Sequence, residues 1–305
     1  MNNNVVVVGY GSIGQRHANI LDNMGCNVSI VSRRELSFPK QYSTIQDALE
    51  QEHPIYVVIA NETSAHKDTL IQLEKQHFQG KILVEKPIFN NSIEESFNFN
   101  QLFIGYNLRF HPVLVALKEA LMHKEIYTVQ AYVGQYLPSW RPGSDYTKSY
   151  SSKAHQGGGV LRDLSHELDY LDYLFGSWET LTASGGKFSN LKIDSDDSFG
   201  ILYKTQKCPL VTLQLNYLDF IAQRTIIVNT ENETYKADLV QGTLQINEQL
   251  IKFDVKRNGT YIEQHKALLY DRIDHLCDYQ QGLNVLRMIE AVERASRERI
   301  WVYNG

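Results

Sequence analysis

The chain has 305 residues, 43% of them hydrophobic and 21% charged, enough for roughly two packed domains of about 150 residues each. That composition excludes a disordered or fibrous chain. Thirty Lys and Arg against 35 Asp and Glu leave a formal net charge of −5, which argues against nucleic acid or an anionic membrane as partner.

No apolar stretch approaches the ~20 residues of a membrane span. The start, Met1-Asn2-Asn3-Asn4-Val5, has neither a basic n-region nor an apolar h-region, so no signal peptide is expected and the location is read as cytoplasmic. Cys26, Cys208 and Cys277 show no C-x-x-C spacing. They read as buried reduced thiols, and no metal site is expected.

In chain order, Asn4–Val8 is a short Val-rich run that predicts a strand, followed by a helix over 13–24. Strands are expected at Val28–Val31, Ile55–Ala60, Lys81–Val84 and Leu102–Ile104, with a helix over Ser64–Gln76. Strands alternating with helices predict βαβ units and a doubly wound parallel sheet. Beyond about residue 125 the pattern changes. A strand is read over 126–136, a helix over 160–175, and only strand signals from 180 to 254. There, Val211, Leu213, Leu215 and Tyr217 alternate with Thr212, Gln214 and Asn216, which predicts an antiparallel meander with one polar face. Residues 261–299 return to a helical pattern, with Leu283, Leu286, Ile289 and Val292 at core spacing and a last strand near Ile300–Val302. The expected domains are 1–106, nucleotide-binding, and 107–305, an α+β domain for substrate and oligomerisation whose last helices could pack back on the first.

The first strand runs directly into Gly9-Tyr10-Gly11-Ser12-Ile13-Gly14, a G-x-G-x-x-G that opens a helix. In this context it is a dinucleotide fingerprint. Gly9 allows the tight turn, Gly11 lets backbone approach a pyrophosphate, and Gly14 permits close helix–sheet packing. Ser12 and Ile13 begin the helix whose free N–H groups face the phosphates. The blander alternative is a glycine-rich turn without ligand.

About 20 residues on, an NAD site usually carries a carboxylate for the ribose hydroxyls. Here the stretch is Ser32-Arg33-Arg34. A serine and a guanidinium suit a 2′-phosphate, which favours NADP over NAD. Alternatively, the arginines stack on adenine or face solvent. The strand Lys81–Val84 ends in Glu85-Lys86-Pro87, at the strand end where doubly wound sheets bind ligands.

Taken with Gly105-Tyr106-Asn107-Leu108-Arg109-Phe110-His111-Pro112 and Gly157-Gly158-Gly159-Val160-Leu161-Arg162-Asp163, these motifs resemble the Gfo/Idh/MocA family of glucose–fructose oxidoreductase and inositol dehydrogenase. The resemblance covers nearly the whole chain. It implies a Rossmann domain followed by an α+β domain with an open, mostly antiparallel sheet, and an NAD(P)-dependent oxidoreductase acting on CH–OH groups of a sugar, nucleotide-sugar or cyclitol. It further implies Lys86 near the nicotinamide and the reacting hydroxyl, Glu85, Asn61, Thr63 and His66 along the cofactor, and Asn107 and Arg109 near the substrate. The family commonly has Asp and His four apart after the glycine run. Here Asp163 and His166 are three apart, which on a helix still shares a face. The span from Pro87 to Gly105 is short, so one helix of the first domain is reduced or missing.

A histidine suits proton transfer at neutral pH, so His166 is the candidate acid/base. Lys86 would stabilise a developing alkoxide, and Asp163 would orient the lysine or bind a neighbouring hydroxyl. Glu167 and Tyr170 fall on the same helical face. The competing reading is a helix burying its leucines with a merely solvated polar side.

The loop Trp140-Arg141-Pro142-Gly143-Ser144-Asp145-Tyr146 is aromatic and cationic, with Trp140, Arg141 and Tyr146 as candidate substrate contacts. It favours an anionic substrate such as a nucleotide-linked sugar, against a dimer contact or solvated loop. A homodimer or homotetramer is expected across the open sheet. Two other functions share these motifs: a glycosidase with a recycled, bound NAD, and a non-catalytic NAD(P)-reading sensor.

Overall fold

A computed structural model describes residues 3–92, 96–141 and 143–305. They divide into two compact units, 1–110 with 256–286, and 111–255 with 287–305.

The first unit begins with β1 (Asn4–Val8), α1 (Ser12–Asn23), β2 (Asn27–Val31), β3 (Gln41–Tyr42), α2 (Ile45–Glu52), β4 (Tyr56–Ile59), α3 (His66–Lys75), β5 (Lys81–Val84) and β6 (Leu102–Ile104). β1, β4, β5 and β6 are apolar without alternation because both faces of a parallel sheet are covered. Two of these elements, α2 and β3, are not among those expected from the sequence. α2 is announced by its cap instead, since Thr44 Oγ1 accepts from Asp47 N at 3.1 Å. β3 is two residues long and carries no pattern. The helix expected from Ser64 opens as a 3-10 turn over Thr63–Ala65. Between Pro87 and Gly105 no helix forms among the described residues; residues 93–95 lie outside them.

The second unit contains α4 (Pro112–Ala120), β7 (Ile126–Gly134), α5 (Val160–Asp163), α6 (His166–Phe175), β8 (Trp178–Gly186), β9 (Ser198–Thr205), β10 (Val211–Asn216), β11 (Gln223–Thr230), β12 (Thr234–Asp238), β13 (Thr243–Ile246) and β14 (Gln249–Lys252). α7 (Gly259–Leu269), β15 (Cys277–Asp278) and the first part of α8 (Tyr279–Glu298) belong to the first unit. The end of α8 and β16 (Val302–Tyr303) belong to the second.

The first sheet has the order β15-β6-β5-β4-β1-β2-β3, parallel except for β15. The second has the order β14-β13-β12-β11-β7-β10-β9-β8-β16 and is mostly antiparallel. It corrects the expected meander in one place. β7 lies between β10 and β11 and pairs in parallel with β10. The connection from β10 to β11 crosses the end of β7, where Tyr132 donates to Asp219 and Asn216 Nδ2 donates to Tyr132 at 2.9 Å. Asn216 is therefore buried, although its place in the alternation had put it on the polar face. A Cβ on Gly134 would fall 2.2 Å from Asp219 Oδ2, so this crossing needs a glycine there.

Two expected helices are interrupted. The stretch over 160–175 breaks at Leu164 and Ser165, and that over 261–299 breaks between Leu269 and Tyr279. In the second case Asp271 takes a positive φ of 55°, and the chain then adds β15 to the edge of the first sheet. No helix among the described residues is long and apolar enough to cross a membrane.

Candidate active site

The fingerprint stands at the end of β1. Gly9 has φ +94°, and a Cβ there would come within 2.6 Å of the Asn61 backbone. A Cβ on Gly14 would meet Gly9 O at 2.2 Å. Gly11 differs: a Cβ there would have nothing within 4 Å. Gly11 is also the N-cap of α1, and no side chain caps that helix. Ser12 and Ile13 thus open a helix whose first N–H groups no side chain caps, beside open space at Gly11, a cradle that fits a dinucleotide phosphate.

Beyond β2, the Ser32 hydroxyl accepts from Arg34 N at 3.1 Å, and Arg34 Nη2 approaches Tyr10 O at 3.4 Å. Both arginines are exposed, and Arg34 is the one whose guanidinium reaches the fingerprint turn. Gln41, which the sequence did not single out, donates to the Ser32 and Arg34 carbonyls and holds this loop.

Past β4, the Asn61 amide donates to Thr69 Oγ1 at 2.9 Å, and Thr63 is half-buried in its short turn. His66 is 1% exposed. Its Nδ1 lies 3.0 Å from Ile88 O and its Nε2 3.3 Å from Asn61 O, so it ties the segments after β4 and β5 together. Burial lowers its pKa, opposed by these carbonyls. Glu85 is nearly buried at the end of β5, Lys86 is half-buried beside it, and the Lys86–Pro87 peptide is cis.

Asn107 and Arg109 are turned inward within the first unit. Asn107 Nδ2 donates to Thr260 Oγ1 at 2.6 Å. Arg109 is 1% exposed and donates to Leu276 O at 3.1 Å and Gln281 Oε1 at 2.7 Å. A guanidinium so enclosed braces the start of α8.

In the second unit, Asp163 is buried at the end of α5. Tyr150 donates to its Oδ1 at 2.5 Å and Tyr217 to its Oδ2 at 2.6 Å. No proline or glycine marks the break after Asp163; it coincides with this clamp, which joins distant segments. His166 then begins α6, half-buried. Asp163 and His166 therefore do not share the face of one continuous helix, as their spacing implied. Glu167 and Tyr170 also depart from the expected polar face. Glu167 is fully buried, 2.7 Å from Arg224 Nε, and accepts from Tyr170 at 3.1 Å. Burial raises its carboxyl, and Arg224 opposes that.

The glycine run before α5 is a packing device. A Cβ on Gly159, at φ +131°, would fall 2.2 Å from Asp196 Oδ2, and one on Gly158 would fall 2.0 Å from Tyr150 O. Asp196 Oδ1 in turn accepts from Leu161 N at 3.1 Å, and burial pushes its pKa up to about 6.

Trp140, Arg141 and Tyr146 line one hollow together with Leu137, Ser144 and Ser151. Trp140 packs edge-on to Tyr217, 5.2 Å between ring centres, which links this hollow to the Asp163 clamp. Tyr146 accepts from Lys192 N at 3.2 Å, and Arg141 is exposed. Pro142 lies outside the described residues. Among the described residues no group of three or more His, Cys, Asp or Glu is placed to hold a metal ion.

Residues 3–112 match the model of an oxidoreductase family with an NAD-binding Rossmann fold, and residues 114–235 match the GFO/IDH/MocA C-terminal domain. Three of the solved structures that share the fold illustrate the likeness. GenD2 from gentamicin A biosynthesis, in complex with NAD, is 20% identical, with 100% of this chain and 97% of that chain covered and a TM-score of 0.79. Levoglucosan dehydrogenase in complex with NADH is 15% identical, with 99% of each chain covered and a TM-score of 0.84. The WlbA dehydrogenase from Bordetella pertussis, in complex with NADH and UDP-GlcNAcA, is 18% identical, with 100% and 99% covered and a TM-score of 0.76. A comparison with curated protein sequences returned no match.

Proposed function

Since the chain belongs to the GFO/IDH/MocA family of NAD-binding oxidoreductases, we propose that it oxidises or reduces a carbinol or carbonyl carbon of a sugar, nucleotide-sugar or cyclitol, with NADP as the preferred cofactor. The observation that carries this reading is the open, uncapped cradle at Gly11. When bound, the nicotinamide accepts or supplies the hydride; the protein supplies position and field.

Gly11, Ser12 and Ile13 hold the phosphates, and Ser32 and Arg34 take the ribose end. Arg34 is favoured over Arg33 because its guanidinium already reaches the fingerprint turn. Its fork suits a 2′-phosphate, and no carboxylate stands in that stretch. Lys86 lowers the cost of negative charge on the reacting oxygen. His166 exchanges the hydroxyl proton. Asp163, held by two phenols, offers a fixed acceptor to a neighbouring hydroxyl or ammonium. Trp140, Arg141 and Tyr146 are the candidate substrate contacts. Arg109 is left out of the substrate set, since its donors meet Leu276 and Gln281.

An anionic, nucleotide-linked sugar is favoured by Arg141 and by the fold shared with a dehydrogenase solved with UDP-GlcNAcA. The likeness to levoglucosan dehydrogenase supports an uncharged sugar as the second arm. The outer face of the second sheet exposes Gln130, Ser184, Thr212 and Gln214, and we infer that a second copy covers it.

Titration with NADPH and NADH, read by energy transfer from the tryptophans, tests the cofactor reading. Preference for NADPH is expected, followed by turnover with nucleotide sugars or cyclitols. Preference for NADH removes the 2′-phosphate assignment, and binding of neither removes the oxidoreductase reading.

A further inference from the structure

Behind the end of β5 lies a buried chain of four side chains that the proposed chemistry leaves unused. Glu85 Oε1 is 2.8 Å from His17 Nε2, His17 Nδ1 is 2.8 Å from His265 Nε2, and His265 Nδ1 is 2.9 Å from the Tyr56 hydroxyl. His17, His265 and Tyr56 are fully buried and Glu85 is 8% exposed. The chain joins α1, α7 and the start of β4 to the cofactor end of β5. Around it stand Tyr261, edge-on to His17 at 5.4 Å, with Arg16 over the Tyr261 ring, and Cys26 near Tyr56. The same Oε1 lies 2.8 Å from where a Gly105 Cβ would sit, and Oε2 accepts from Lys86 N at 3.3 Å.

One polarity closes the chain without an additional proton on any member. Burial keeps the Tyr56 phenol protonated, and burial with the neighbouring His17 keeps His265 neutral. In that polarity His17 Nε2–H donates to Glu85 Oε1. His17 Nδ1 then accepts from His265 Nε2–H, and His265 Nδ1 accepts from Tyr56. Each ring nitrogen of the two histidines is used once. The reverse polarity requires an additional proton on Glu85 or His17.

We propose that His17, His265 and Tyr56 are positioning residues that hold Glu85 as an oriented, acceptor-only carboxylate beside Lys86, where it receives a cofactor hydroxyl. The cofactor clause rests on the NAD(P) reading; the polarity of the chain does not.

The test uses the full-length protein labelled with ¹⁵N-histidine, with assignments from His17→Gln and His265→Gln. Long-range ¹H–¹⁵N spectra at pH 7.5 are expected to show both rings as neutral Nε2–H tautomers. An Nδ1–H tautomer or an imidazolium at either ring overturns the proposal. In parallel, Tyr56→Phe, at the opposite end of the chain from Glu85, is expected to weaken NADPH binding about 5-fold. His265→Leu is expected to weaken it further. His265→Gln, whose amide can accept from Tyr56 and donate to His17, should restore part of the loss. Unchanged affinity in folded Tyr56→Phe and His265→Leu overturns the positioning role. The expected tautomers in a protein that binds no dinucleotide would sink the cofactor reading and leave the chain's polarity standing.

Discussion

The Tyr217 phenol donates to Asp163 Oδ2 at 2.6 Å, across 54 residues of sequence. With Tyr150 on the other oxygen, Asp163 is fixed by two hydroxyls while its own helix breaks beside it. Hydrogen bonds to a charged group are worth about 1.5–3 kcal/mol. Tyr217→Phe should therefore lower stability by about 2 kcal/mol. It should also reduce kcat/KM about 10-fold with cofactor affinity intact. A denaturant titration alongside steady-state kinetics checks both, and unaltered kinetics would show the clamp to be structural alone.

Lys86→Ala should cut turnover by roughly 100-fold while dinucleotide binding persists. Binding measured by tryptophan energy transfer, beside turnover, separates the two. A variant that turns over normally would remove Lys86 from the chemistry.

Arg34→Ala should weaken NADPH at least 10-fold and NADH by less than 2-fold, since a guanidinium–phosphate fork is worth about 1.5–3 kcal/mol. Arg33→Ala should have a smaller effect on both. Equal losses for the two cofactors in Arg34→Ala would sink the 2′-phosphate assignment.

Two groups, buried His111 and half-buried Asp196, give stability opposite slopes with pH. His111 caps α4, with Nδ1 accepting from Val113 N at 3.3 Å, and burial followed by Arg224 holds its pKa down to about 4 from 6.5. Above 6.5 the ring is neutral in both states. As pH falls from 6.5 toward 4 the unfolded chain takes up the proton first, and stability is lost. Asp196 has the reverse sign: raised to about 6 from 3.8, its contribution is full below 3.8 and is lost as pH rises through 6. His111→Asn, which keeps a capping side chain, should flatten the acid loss between pH 4 and 6.5, whereas Asp196→Asn should steepen it. Denaturant midpoints from pH 4 to 7.5 measure both slopes, and parallel curves for all three proteins would contradict these assignments.

Substituting Ala for Gly14 should abolish dinucleotide binding and folding together, because its Cβ would sit 2.2 Å from Gly9 O. Gly11→Ala places a methyl in open space, so the protein should fold with an unchanged melting temperature and bind dinucleotide about 10-fold more weakly or worse. A Gly11→Ala protein with full affinity would mean that the cradle does not hold phosphate.

What was legible in the sequence is what acts over a few consecutive residues. The strand into Gly9–Gly14, the missing carboxylate at Ser32–Arg34, and Glu85-Lys86 closing a buried strand are local patterns. Backbone geometry within one turn gives them their meaning. They were enough for the Rossmann half and the family. The alternation of β10 was equally legible, but its neighbours were not: that β7 lies between β10 and β11 follows from the crossing at Tyr132, Asn216 and Asp219.

The amino-acid sequence by itself determined the nucleotide-binding fold, the class of cofactor and the family, because a phosphate cradle is made of contiguous backbone. Tertiary structure alone decided the rest. It broke the helix between Asp163 and His166, turned Glu167 into a buried ion pair, enclosed Arg109, and strung His17 and His265 between Tyr56 and Glu85. Each of these depends on partners 13 to 248 residues away. A hydrogen bond between distant segments leaves no periodic trace in either one, so it becomes readable only when the chain has closed around it.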